Sequence, residues 1–200
     1  MHSPIIYIIK NSQNGKNFKG HLDEDLIPDY ETIQACIPES DWFEPNTLSN
    51  HSWHRGNWSD HYIEMLNPSN NFYTAKETNN YIQLIITKNN IWNWYLRVAE
   101  LEELHSKALK EHFENDELFV FSPIQDLGTR IEYDDMVGEP HGGLRFALFE
   151  RSYDNEDELE FYGILSEKSL IDYAKDQVKA NKSNEISFDV CTNVAGDYHF

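Results

Sequence analysis

The stretch GLRFALFER, residues 143–151, constrains the fold more than any other part of this chain. Leu144, Phe146 and Leu148 alternate with Arg145, Ala147 and Phe149, so apolar side chains leave the backbone on both sides of a two-residue repeat. A strand of that kind has to be covered on both faces, which places it inside a sheet and not at its rim. The run Ile5–Ile9, preceded by Pro4, is equally apolar and reads as a second buried strand. Two such strands demand a layered domain with cover above and below the sheet.

The remaining elements follow from periodicity. Tyr81–Thr87, Leu118–Ser122, Thr129–Tyr133, Leu159–Leu165 and Ile186–Cys191 read as further strands. Ala99–Phe113 reads as the strongest helix, with Leu101, Leu104, Ala108, Leu109 and Phe113 as its buried stripe. A second helix over Glu167–Asn181 is N-capped by Ser166 and buries Leu170, Ile171, Ala174 and Val178. A short helix over Asp29–Ile37 is stopped by Pro38. Between Asn46 and Asn80 the composition turns to Asn, Ser, Thr and aromatic residues, which predicts a long irregular segment. The sum is an α+β domain spanning residues 1–200: a mostly antiparallel β-sheet, two main amphipathic helices and that irregular aromatic-rich segment.

One segment carries two periodicities. In IWNWYLRV, Trp92, Trp94, Leu96 and Val98 share a face at period two, and Lys88-Asn89-Asn90 before it would turn a hairpin. Ile91, Tyr95 and Val98 fit helical spacing as well, so one long helix from Ile91 to Phe113 competes with the hairpin. A hairpin is expected here.

Charge limits the partners. Sixteen basic residues against 35 acidic ones leave a formal charge of −19. A chain so acidic is repelled by phosphate backbones and anionic bilayers, which argues against direct nucleic-acid or membrane binding and in favour of a basic protein partner. Cys36 and Cys191 match no zinc or redox spacing, and the N-terminus lacks a basic region and a long apolar run. A cytoplasmic protein with two reduced thiols is expected.

Three groups of residues could carry chemistry. His51, His54, His61 and Glu64 offer imidazole and carboxylate ligands of the type zinc takes. They lie among Asn, Ser and Gly without a diagnostic spacing, and Trp53 and Trp58 suffice to anchor a loop there, so no metal or other cofactor is expected. Arg130, Glu132, Asp134, Asp135, Glu139, His141 and Arg145 read as an acidic loop between two strands, with Gly138, Gly142 and Gly143 serving its turns. The acidic runs Asp23–Asp25 and Asp154–Glu160 read as solvated loops or as a docking surface, with Tyr153, Phe161 and Tyr162 as aromatic anchors. His105 and His112, seven apart on the Ala99 helix, read as residues at the edge of its buried stripe.

No nucleophile has an identifiable base, so no catalytic residue is assigned. In bulk character the chain is similar to bacterial immunity and inhibitor proteins that neutralise basic toxins. The expected function is an acidic protein-binding module that covers a basic nuclease or other toxin. Its contact residues would be Asp134, Asp135, Glu139, Tyr153, Asp154, Glu156, Asp157, Glu158 and Tyr162. A metal-assisted hydrolase using the histidine cluster is the alternative, and a mimic of nucleic acid the second alternative.

Overall fold

A computed structural model describes residues 2–11, 20–38, 42–47, 66, 72–78, 81–115, 123–137, 144–155 and 158–199. Its centre is the apolar run predicted to be buried. Strand β1 (His2–Lys10) pairs in parallel with β5 (Arg145–Arg151) and antiparallel with β7 (Glu185–His199). Ile5 to Ile9 are all buried, and so are Phe146 to Phe149. Beyond β5 lies β6 (Leu159–Ser166), the outermost strand on that side among the described residues. On the other flank of β7 its first half pairs with β4 (Tyr81–Thr87), which carries β3 (Thr74–Thr78), while its second half pairs with β2 (Trp42–Thr47). The order is β3-β4-β7-β1-β5-β6 with β2 on β7. The sheet is mixed, with β1–β5 as its parallel pair and the other described pairings antiparallel.

Both faces are covered, as the doubly apolar strands require. Helices α2 (Lys88–Glu114), α3 (Leu127–Met136) and α4 (Glu167–Ala180) contribute to the layer on one face, where Ile6, Ile8, Phe146 and Leu148 meet Trp94, Leu101, Met136, Leu170 and Ala174. On the other face Ile5, Tyr7, Ile9, Ala147 and Phe149 pack against Leu22, Ile33 and Ile37. That cover includes a 3₁₀ turn (Glu24–Leu26) and α1 (Tyr30–Cys36), capped by the Asp29 side chain and closed before Pro38. Among the described residues no helix is long and apolar enough to cross a membrane.

The long strand β7 is broken where Cys191 to Val194 stand against the single residue Tyr7. The Asn193 amide fills the gap: its Oδ1 accepts from the Leu22 backbone N–H at 3.0 Å, and its Nδ2 donates to the Leu22 carbonyl at 2.7 Å. A side chain thus imitates one rung of a ladder and ties the cover to the sheet. Cys36 is exposed, Cys191 is buried, and both are free thiols.

Two expectations fail for the same reason. The segment after Thr87 is one helix and not a hairpin: Thr87 Oγ1 accepts from the Asn90 N–H at 3.1 Å, while Asn90 Oδ1 accepts from the Thr87 N–H at 2.9 Å. This reciprocal capping box starts a helix where the paired asparagines suggested a turn. Trp92 and Trp94 therefore part company, at 63% and 2% exposure. Thr129–Tyr133, expected as a strand, lies inside α3, because the Asp126 carboxylate accepts from the Thr129 N–H at 2.8 Å and caps a helix there. The predicted stripe of α2 also fails beyond Leu101, since Leu104, Leu109 and Phe113 are exposed. Strand β3 occupies 74–78 within the segment expected to be irregular; most of the rest of 46–80, and Leu118–Ser122, lie outside the described residues.

Candidate functional site

The parallel pair at the centre of the sheet sends the carboxyl ends of β1 and β5 out at the same pole. Ile9 lies beside Phe149, so the next residues, Lys10 and Glu150, are neighbours, and Glu150 in turn faces Glu160 of β6. Lys10 Nζ donates to Glu150 Oε1 and to Gln177 Oε1 of α4, each at 2.8 Å, and stands 5.5 Å from the centre of the Tyr173 ring. The Tyr173 hydroxyl donates to the same Glu150 oxygen. Burial, then the hydrogen bond to Glu150 and its charge, pushes the Tyr173 hydroxyl far above the ordinary tyrosine range. On the opposite face of the sheet Asn11 Nδ2 donates to the buried Asp189 Oδ1 at 2.8 Å.

A bulge completes this pole. Leu148 pairs with Gly163 and Phe149 with Phe161, so Tyr162 is an extra residue without a partner on β5. Gly163 has φ of +153°, a conformation that side chains rarely adopt, and it follows on the helical face, where alternation from Glu160 has already set Tyr162. There its ring packs edge-on against Tyr173 at 5.2 Å. The β5–β6 connection closes through the Ser152 N–H on the Glu158 carbonyl at 2.9 Å and holds Tyr153 out at 99% exposure. Between these parts lies a cavity of about 530 Å³ whose lining includes Lys10, Glu150, Tyr153, Glu160 and Tyr162. A second cavity of about 480 Å³ shares Lys10 and Asn11 with it and is bounded by Gln177 and Asn181 of the α4 end and by Glu185.

The amino end of β5 has a different chemistry. Tyr73 donates to Glu167 Oε1 at 2.6 Å at the start of α4. Burial raises the Glu167 carboxyl, with the Tyr73 bond opposing and the charge of Asp135 adding to it. Burial and the neighbouring Asp134 likewise raise Asp135, against the pull of Arg145. Arg145 is buried with its guanidinium 5.8 Å from the Tyr198 ring centre.

The expected contact residues therefore fall into two groups. Tyr153, Asp154, Glu158 and Tyr162 gather on one hairpin at the carboxyl end of β5. Asp134 and Asp135 stand at the other end of that strand, about 20 Å away for seven extended residues. Glu139, His141, Glu156 and Asp157 lie outside the described residues, as do His51, His54, His61 and Glu64 with Trp53 and Trp58. Among the described residues no group of three or more His, Cys, Asp or Glu could hold a metal. The loop expected around Glu132 is helix α3, and Glu132 serves packing: both its oxygens bind Arg97 of α2, at 2.8 and 2.6 Å. His105 stacks on Tyr133 at 4.5 Å, and the buried His112 has Nε2 at 3.1 Å from the Pro123 carbonyl oxygen.

Lys10, Gln177 and Tyr173 did not emerge from the sequence. The available signal was a charged residue at the carboxyl end of each doubly apolar strand, Lys10 at the last position of one and Glu150 one short of the last of the other, which is where a buried strand meets solvent or a ligand. Comparison of the chain with protein-family profiles, with curated proteins and with solved structures finds no match.

Proposed function

We propose that this protein is an acidic binding module of the inhibitor or immunity type, which captures a basic protein such as a nuclease or other toxin through the β5–β6 hairpin. The observation that carries this reading is the pair of exposed tyrosines, Tyr153 at 99% and Tyr162 at 54%, set among Asp154, Glu158 and Glu160 on the β5–β6 hairpin. Rings on a hairpin lose little rotamer freedom on docking and can each bury a large area, while the surrounding carboxylates raise the encounter rate of a cationic partner. A stable complex needs about 800 Å² from each side. The neighbouring cover can extend the contact, because the 3₁₀ turn and α1 both pack against β6 and expose Asp23, Glu24, Asp25 and Glu31.

Affinity capture from cytoplasmic extract at low salt tests the proposal, with wild type and the double variant Tyr153→Ala/Tyr162→Ala as baits. The expected result is a basic protein held by wild type and lost by the variant, with an association rate that falls steeply between 0.02 and 0.15 M salt as the Debye length shrinks toward ~8 Å. An acidic partner, or one whose association rate ignores salt, would remove the basis of the reading.

A further inference from the structure

We infer that the cavity beside β6 is a pocket for one arginine side chain of that basic partner, with Glu160 as the counter-ion and Tyr162 as the stacking platform. The inference rests on the binding-module reading and deepens it. It starts from a row of charges across three strands: Lys10 on β1, Glu150 on β5 and Glu160 on β6. Like charges directly opposite each other on neighbouring strands are unfavourable. Lys10 and the Tyr173 hydroxyl answer Glu150, whereas Glu160 is exposed and has no ion pair among the described residues. The row therefore reads plus, minus, minus, and a second cation beside Glu160 in the cavity would complete it.

Shape and chemistry favour a guanidinium for that cation. Glu160 and Tyr162 both line the cavity, so a planar cation can meet a carboxylate and a ring together. Arginine does this better than lysine, because its flat fork binds a carboxylate with two N–H groups and stacks on aromatic faces. Plain strand alternation puts Glu160 and Tyr162, two residues apart, on the same face of β6, which is the face of Tyr173. Arg151 also lines the cavity but pairs with Leu159, whose side chain belongs to the core on the α1 side, so strand alternation sends it to the other face.

The test uses the full ¹⁵N-labelled chain titrated with N-acetyl-arginine amide, and with the neutral isostere N-acetyl-citrulline amide as control. A fragment of this size should bind with a Kd of about 1 mM or weaker. We expect shifts of the Tyr153 and Glu160–Gly163 amides, weakened about tenfold or more by Glu160→Gln and by Tyr162→Ala and unchanged by Glu103→Gln on α2, because losing a desolvated charge pair or stacking anchor costs on that scale. Citrulline should leave the spectrum unmoved. Shifts spread over every acidic segment, or equal binding by Glu160→Gln, would overturn the inference. The parent reading fails separately: a basic partner captured equally well by Glu160→Gln overturns the arginine pocket alone, whereas specific arginine binding with no basic protein captured overturns the binding-module function alone.

Discussion

The two tryptophans at the start of α2 give the sharpest test of the helix that replaced the expected hairpin. Trp94 is 2% exposed and meets Phe72 edge-on, with ring centres 4.8 Å apart. Trp92, two residues away, is 63% exposed. A buried tryptophan removes about 150–250 Å² from water, or about 4–6 kcal/mol at ~25 cal/mol per Å². Residual compaction of the unfolded chain lowers such values by about 10–40%, which brings Trp94→Ala to roughly 3–5 kcal/mol, the usual loss for a core aromatic. Trp92→Ala should stay within about 0.5 kcal/mol. Urea unfolding followed by circular dichroism at 222 nm avoids the fluorescence change that either substitution brings. With an m-value of roughly 2–3 kcal/mol/M, Trp94→Ala should lower the midpoint by more than about 1 M and Trp92→Ala by at most about a quarter of that. Equal midpoint shifts would mean that the two rings share one face, and the helical phase of α2 would be wrong.

Further outcomes follow from the site. Gly163→Ala meets no steric obstacle, since nothing lies within 4 Å of an added Cβ, but φ of +153° is strained for alanine, so a loss of roughly 1–3 kcal/mol is expected in the same urea assay. Tyr73 and Tyr173 have hydroxyls raised far above their unfolded value by burial and by Glu167 and Glu150 respectively. Their protonated forms are favoured in the fold, so the stability they contribute is complete below about pH 10 and is lost as pH rises beyond it, by up to ~1.4 kcal/mol per pH unit for each. Tyr173→Phe should flatten that alkaline decline, and an unchanged slope would contradict the burial assigned to the hydroxyl. Glu167 is also raised, so its contribution is complete below its unfolded value near 4.5 and lost as pH rises. Lowering the pH from 7 to 5 should therefore stabilise wild type relative to Glu167→Gln, read as the difference in thermal midpoints at the two pH values.

What the sequence disclosed depends on how local each signal is. Strands β1, β5 and β6 were legible because one run of side chains states the burial of each, and α4 because Ser166 caps it and accepts from Ser169 just inside. Helix α2 was missed at its start and α3 throughout, because β-rich runs such as IWNWYLRV outweigh the single caps Thr87 and Asp126. One hydrogen-bonding side chain decided the matter in each case, and a period-two pattern carries no memory of it. The parallel pairing of β1 with β5 has no local signature, and the site follows from that pairing. Lys10 and Glu150 are 140 residues apart in the chain, so their ion pair exists only once the crossover has formed.

The β5–β6 pairing bears on the balance between stability and binding. Placing Glu150 and Glu160 opposite each other carries a small penalty in the free protein, a few tenths of a kcal/mol up to about 1 for cross-strand like charges. Lys10 softens it from one side only, because its ammonium is fixed between Glu150 and Gln177 and does not reach over to the outer strand by any hydrogen bond in the structure. Under the proposed arginine pocket the pair is kept for an incoming cation, so that the residue best for the complex is not the residue best for the free fold. Glu160→Gln should then move the two quantities in opposite directions. Its urea midpoint should rise by a few tenths of a kcal/mol equivalent at low salt, and the rise should shrink above 0.5 M salt as the repulsion is screened. The same variant should lose the basic partner and the arginine amide. A Glu160→Gln protein that is less stable than wild type would show that the carboxylate serves the fold, and the like-charge penalty assigned to the Glu150–Glu160 pair would be wrong.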